Sequence, residues 1–190
     1  MHTDLSNNPG WSGIITMAIL KIAKMGHPIL RQVAEKVEDP TSPEIQQLLS
    51  DMRETMVDAG GVGLAAPQVH KSLRIVIFQI RTETSPDEVS YKEQVLINPI
   101  IEFLANDKET DWEGCLSVPD LRGAVPRFVN IRYQGWDDSG THIDREATDF
   151  HARVVQHECD HLDGILYPMQ MDGLSSLHYI SEMRFNSNTN

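Results

Sequence analysis

The chain has 190 residues, 40% of them hydrophobic and 23% charged, which suits one globular domain with a core large enough to need no staples. Its formal net charge of −12 at pH 7 disfavours broad electrostatic binding to nucleic acid or to an anionic membrane surface. No apolar run reaches the roughly 18 residues of a membrane-spanning helix.

Residues 1–16 carry no Lys or Arg and include Asp4, so they lack the basic start of a secretory signal; they are expected to form an extension outside the fold. The folded domain is expected over 17–170, followed by a tail at 171–190. Residues 18–22 are a short apolar segment, followed by a turn at Gly26-His27-Pro28. Thr41-Ser42-Pro43-Glu44 supplies a capping hydroxyl, a Pro and a first-turn acid. It predicts a helix carrying Ile45, Leu48, Leu49, Met52 and Met56 on its apolar face and ending at Gly60-Gly61. Residues 73–80 are dense in β-branched side chains and read as a buried strand, 81–92 as a polar loop, and 95–101 as a second strand, bent or placed at an edge by Pro99.

Val129, Ile131 and Tyr133 alternate with Asn130, Arg132 and Gln134, the pattern of a half-exposed strand. Asp137-Asp138-Ser139-Gly140 turns the chain, and 141–145 returns as its partner. A second helix is expected from Thr148 or Asp149 to about Asp163, with Gly164 placed to stop it, and one short helix beyond Met171. Strand meanders with two separated helices predict an α+β fold of antiparallel sheets.

The second helix carries His157-Glu158-Cys159-Asp160-His161, an H-E-x-x-H sequence. Two His four residues apart share one helix face, so both imidazoles reach one metal ion with the Glu beside it as general base. A catalytic site needs a third protein ligand. In one large protease class it is a His that would fall at position 167, which is Tyr167 here. Cys115, in Glu113-Gly114-Cys115-Leu116-Ser117, offers a thiolate that suits zinc or ferrous iron, or else is a small buried hydrophobe. Cys115 and Cys159 are too few for a disulfide scaffold and point to a reducing, cytoplasmic compartment. A third segment, Gly61-Val62-Gly63-Leu64-Ala65-Ala66-Pro67-Gln68, leaves its backbone open to close approach and ends on an amide donor.

Together the three segments, in this order, resemble the peptide deformylase family, which carries G-φ-G-φ-A-A-x-Q, E-G-C-φ-S and H-E-x-D-H. The resemblance covers about residues 17–170. It implies antiparallel sheets packed around the motif helix, and hydrolysis of the formyl group from the formyl-Met end of nascent polypeptides, with transient ribosome proximity. It implies a metal on Cys115, His157 and His161, usually Fe²⁺, with Zn²⁺, Ni²⁺ or Co²⁺ as substitutes, and a water as fourth ligand. Glu158 would move the proton, while Gln68 and the Leu116 N–H would hold the oxyanion. Val62, Gly63 and Gly114 would pair with the substrate backbone, and Phe150 and Val154 would line the methionine pocket. Arg122 and Arg127 are candidates for holding the peptide, or exposed structural arginines; Asp160 is expected as an outer partner of the site or a surface residue. Arg153 stands where an apolar residue would line the pocket more simply. The tail beyond Asp172 has one Arg and no Lys, which argues against ribosome docking through a basic C-terminal helix.

Overall fold

The computed structural model describes residues 18–85 and 88–188; the 1–16 extension lies outside the described residues. The first helix, α1 (Pro43–Asp58), starts as predicted, with the Ser42 hydroxyl accepting from the Ile45 N–H at 3.4 Å. The strands are β1 (Gly63–Ala65), β2 (Ile75–Ser85), β3 (Glu88–Phe103), β4 (Lys108–Cys115), β5 (Val118–Phe128), β6 (Asn130–Trp136) and β7 (His142–Thr148). Then come the motif helix α2 (Asp149–Leu162) and β8 (Leu177–Tyr179). They form a five-stranded sheet, β1-β2-β3-β6-β7, and a three-stranded sheet, β4-β5-β8, with antiparallel neighbours throughout.

The apolar run in β2 has a simple cause. Successive side chains point to opposite faces of a sheet, and this sheet is covered on both. Ile75 and Ile77 pack with Leu48, Leu49, Met52 and Met56 of α1. Val76, Phe78 and Ile80 pack with Ala152, Val155, Cys159 and Leu162 of α2. A third cluster, Val118, Val125, Leu166 and Tyr167, lies under the smaller sheet. α2 is thus enclosed from Ala152 to Cys159, every residue of which is buried.

Two expectations change. Residues 81–85 and 88–92 are not a polar loop: they continue β2 and β3 as paired strands, with Arg81 opposite Tyr91 and Thr82 opposite Ser90. They are held by backbone pairing, which polar side chains do not prevent. Beyond Met171 the chain makes short 3-10 turns and β8, which pairs with β5 through Leu121–Tyr179, Arg122–His178 and Gly123–Leu177, so the tail extends the smaller sheet. Pro99 lies inside β3, where the register shifts between Ile97 and Ile100. The neighbouring Asn98, at φ 52, exchanges hydrogen bonds with the backbone of Val37 at 2.8 and 2.9 Å. A bulge thus absorbs the missing Pro N–H.

Gly164 ends α2 at φ +73, with its N–H on the His161 carbonyl (3.3 Å) and the Ile165 N–H on the Asp160 carbonyl (2.9 Å). This closure fixes the last turn, which carries His161. A Cβ at Gly164 would meet the Arg31 carbonyl carbon at 2.7 Å. Gly164→Ala is therefore expected to destabilise the fold by at least ~1–2 kcal/mol, the cost of left-handed backbone alone. Urea denaturation measures it, and an unchanged midpoint would contradict the cap assignment.

Candidate active site

His157 and His161 project from one face of α2, with ring centroids 5.2 Å apart. Across from them, β4 ends at Cys115, where the ladder with β5 slips register between Gly114 and Cys115. That irregularity turns the thiol toward the helix. Cys115 Sγ lies 3.4 Å from His161 Nε2, and the donor atoms of Cys115, His157 and His161 all fall within 4.8 Å of one another. Burial alone would push the Cys115 thiol up. The charges and hydrogen bonds of His161 and His157 outweigh it and hold the thiol well below its usual range. A thiolate and two imidazole nitrogens at this spacing fit Zn²⁺ or Fe²⁺ with a position left for another ligand.

Behind the histidines lies a charged cluster. His157 Nδ1 is 2.8 Å from Glu113 Oε2, so it is the protonated nitrogen, leaving Nε2 as the free donor. Arg127 grips the same carboxylate with two bonds, Nε to Oε1 at 2.9 Å and Nη2 to Oε2 at 3.0 Å, and reaches Asp160 Oδ2 through Nη1 at 2.6 Å. Burial would raise the Glu113 carboxyl, but the bonds from His157 and Arg127 hold it down at about 2. Tyr167 fills the place where the protease reading wanted a His; its ring is stacked beside His157 at 6.2 Å between centroids.

Glu158 is 5% exposed, and its Oε2 is buried without a hydrogen-bond partner among the described residues. Burial pushes its carboxyl up to about 7, against the pull of His157 and His161. Gly63 makes room for it: a Cβ there would overlap Glu158 Oε1 and come within 2.6 Å of its Cδ. Gln68 sits in a 3-10 turn at Ala66–Val69, its carbonyl oxygen accepting from the Ala65 N–H at 2.8 Å. Its amide nitrogen is thereby turned to Ser117 Oγ (3.1 Å) and Cys115 Sγ (3.5 Å). The Leu116 carbonyl accepts from Lys24 Nζ at 2.8 Å, which pins the backbone next to Cys115.

A cavity of about 620 Å³ opens over this cluster. Val62, Gly63, Gln68, Gly114, Cys115, Leu116, Phe150, Val154, His157 and Glu158 all line it, and His161 closes the donor set beneath. Arg122 is on its wall. Arg127 is not: it is buried on the Glu113–Asp160 side, where it holds charge rather than peptide. Asp160 is its partner. Sequence reasoning missed the paired role of Glu113, the room that Gly63 gives Glu158, and two apolar wall residues, Trp112 and Ile180. Only Glu113 left a signal, as part of the Cys motif.

A family model described as polypeptide deformylase matches residues 19–176. The chain is 51% identical over 162 residues, 85% of its length and 92% of the relative's, to peptide deformylase 1 of Nitrosomonas europaea. It is 53% identical over 159 residues, 83% and 90% of the two chains, to peptide deformylase 1 of Bordetella pertussis. Among solved structures it resembles a class I type b peptide deformylase from Acinetobacter baumannii with Met-Ala-Ser bound. The TM-score is 0.74 at 36% identity, covering 82% of this chain and 100% of that one. With matches over most of its length and over nearly the whole of these relatives, the chain belongs to the polypeptide deformylase family.

Proposed function

We propose that Cys115, His157 and His161 hold a catalytic metal ion, Fe²⁺ in the working enzyme, and that the residues around the 620 Å³ cavity carry out deformylation there. The reaction is that of the family: water cleaves the N-formyl group from the terminal formyl-Met of a newly made polypeptide, giving formate and a free amine. The observation that carries the residue assignment is the convergence of one thiolate and two imidazoles, within 4.8 Å, beside a buried carboxylate that has a free oxygen.

When bound, a divalent ion supplies Lewis acidity, activating water near neutral pH and polarising the formyl carbonyl. Glu158 takes the proton from the attacking water and delivers it to the departing amine. A carboxyl near neutrality is suited to both directions of transfer. Gln68 spends one amide hydrogen on Ser117 Oγ and directs the other at Cys115 Sγ, over the long distance of 3.5 Å, on the cavity side. With the Leu116 N–H it forms the donor pair for the carbonyl oxygen as it gains charge; one such donor is worth roughly 3–4 kcal/mol of barrier. β1 and β4 are both edge strands, so the Val62-Gly63 segment and Gly114 offer an edge to the backbone of an extended peptide, although the Val62 carbonyl already accepts from the Gln79 N–H. Phe150 and Val154 give the methionine side chain an apolar wall.

Formylated nascent chains bring the enzyme close to the ribosome in the cytoplasm. A charge of −12 makes that encounter transient, without a broad RNA contact. Among the described residues no helix is long and apolar enough to cross a membrane.

Three outcomes test this. Cys115→Ser is expected to lose metal on dialysis, whereas Glu158→Ala keeps it and loses roughly 10²–10⁴-fold in kcat; metal content measured beside turnover of formyl-Met-Ala-Ser separates the two, and full metal in Cys115→Ser removes that ligand. Gly63→Ala, which crowds Glu158, is expected to lower kcat by roughly 10²-fold with metal content unchanged; wild-type kcat would mean the carboxylate does not need that space. The Fe²⁺ form is expected to inactivate in air, since ferrous iron beside a thiolate is oxidisable, while the redox-inert Zn²⁺ form is not. Equal air stability of the two forms would argue against iron.

A further inference from the structure

Arg153 stands one helical turn before His157 on α2, at the wall of the cavity, yet its side chain is only 8% exposed. Nη1 donates to Glu113 Oε1 at 2.9 Å and to the Val125 carbonyl at 2.8 Å; Nη2 donates to the Glu109 carbonyl at 2.7 Å. A longer contact, 3.4 Å, runs from Nη1 to the Asp111 carbonyl. These acceptors lie on both strands of the β4–β5 hairpin, and β4 ends at Cys115. One guanidinium therefore cross-links the two elements that supply the three donor atoms. It also shares Glu113 Oε1 with Arg127 Nε, which leaves Oε2 turned toward His157 Nδ1.

We infer, on the ligand assignment proposed above, that Arg153 is a positioning residue for the metal centre. Its fork holds the hairpin and the helix at the spacing where Cys115, His157 and His161 converge, and keeps the Glu113 carboxylate on His157. It acts through those groups and not on the substrate. A side chain needed only for packing could be replaced by Met, which has similar length. Three acceptors in different directions require the planar, multiply donating guanidinium, and an ammonium does not reproduce it. Without Arg153 the Val125 carbonyl, the Glu109 carbonyl and Glu113 Oε1 each lose a donor from the helix.

The test is Co²⁺ affinity by chelator competition, with the thiolate–cobalt absorption band and the melting midpoint of the metal-free chain, on wild type, Arg153→Met, Arg153→Lys and Cys115→Ser. Arg153→Met is expected to bind Co²⁺ roughly 10–100-fold more weakly, the usual cost of losing an outer support of a metal ligand, and to shift the band. Arg153→Lys, which keeps the charge but loses the fork, is expected to fall between. A lower melting midpoint in Arg153→Met with wild-type affinity and band means a packing role only and overturns the inference. If Arg153→Met does not fold, Arg153→Lys decides, and wild-type affinity and band in it overturn the inference. Cys115→Ser keeps the two proposals apart. Wild-type Co²⁺ binding in that variant sinks the ligand assignment and the inference with it. Weakened binding there beside wild-type binding in the Arg153 variants sinks the inference alone.

Discussion

One buried carboxylate, that of Glu113, ties the charge of the site to its geometry. An isolated carboxylate in such surroundings would be neutralised by protonation, because desolvation penalises the charged form. Here its two oxygens take bonds from Arg127, Arg153 and His157, and the group stays ionised. Breaking one partner of such a cluster leaves an uncompensated charge indoors, which is why these contacts constrain one another so strongly. The chain of contacts runs from Asp160 through Arg127 and Glu113 to His157, so the orientation of the imidazole depends on residues of β4, β5 and α2 together.

The fold supplies the rigidity this requires. α2 is buried from Ala152 to Cys159, packing on the five-stranded sheet, and its last turn is closed by Gly164 over Arg31. The smaller sheet brings Cys115 in from the other side, and β1 brings Gly63 against Glu158 and leads into the turn that carries Gln68. Three separate pieces of chain thus meet at one point, and each is anchored by pairing or packing away from it. The cavity is lined from two edge strands, by Gly63 of β1 and by Trp112 to Cys115 of β4.

Much of this is legible in the residue order. The helix period put His157 and His161 on one face, the Ser42-Pro43-Glu44 start and the Gly164 stop marked helix ends, and the β-branched run in 73–80 marked a buried strand. The polar strands were not legible. β4 reads Lys-Glu-Thr-Asp-Trp-Glu-Gly-Cys, mostly exposed, and is held by its ladder with β5 rather than by apolar side chains. The β2–β3 extension escaped for the same reason, and β8, Leu177–Tyr179, because three residues are too few to show a strand period. Arg153 and Arg127 escaped because their partners lie far off in sequence, and a lone Arg carries no sign of the carboxylate it will meet.

The H-E-x-x-H helix by itself suits an endopeptidase as well as a deformylase. Tyr167 beside His157 and the thiolate of Cys115 among the donors separate the two readings, as does family membership over residues 19–176. Removal of the formyl group by one metal ion on this donor set is the proposal on which the mechanism rests. It is tested most directly by titrating Fe²⁺ into the metal-free chain without oxygen, and following formate release from formyl-Met-Ala-Ser with acetyl-Met-Ala-Ser as the control. Activity is expected to rise with bound iron and level off at one ion per chain, with the acetyl peptide untouched. Full turnover in the metal-free chain, or equal cleavage of both peptides, would contradict it.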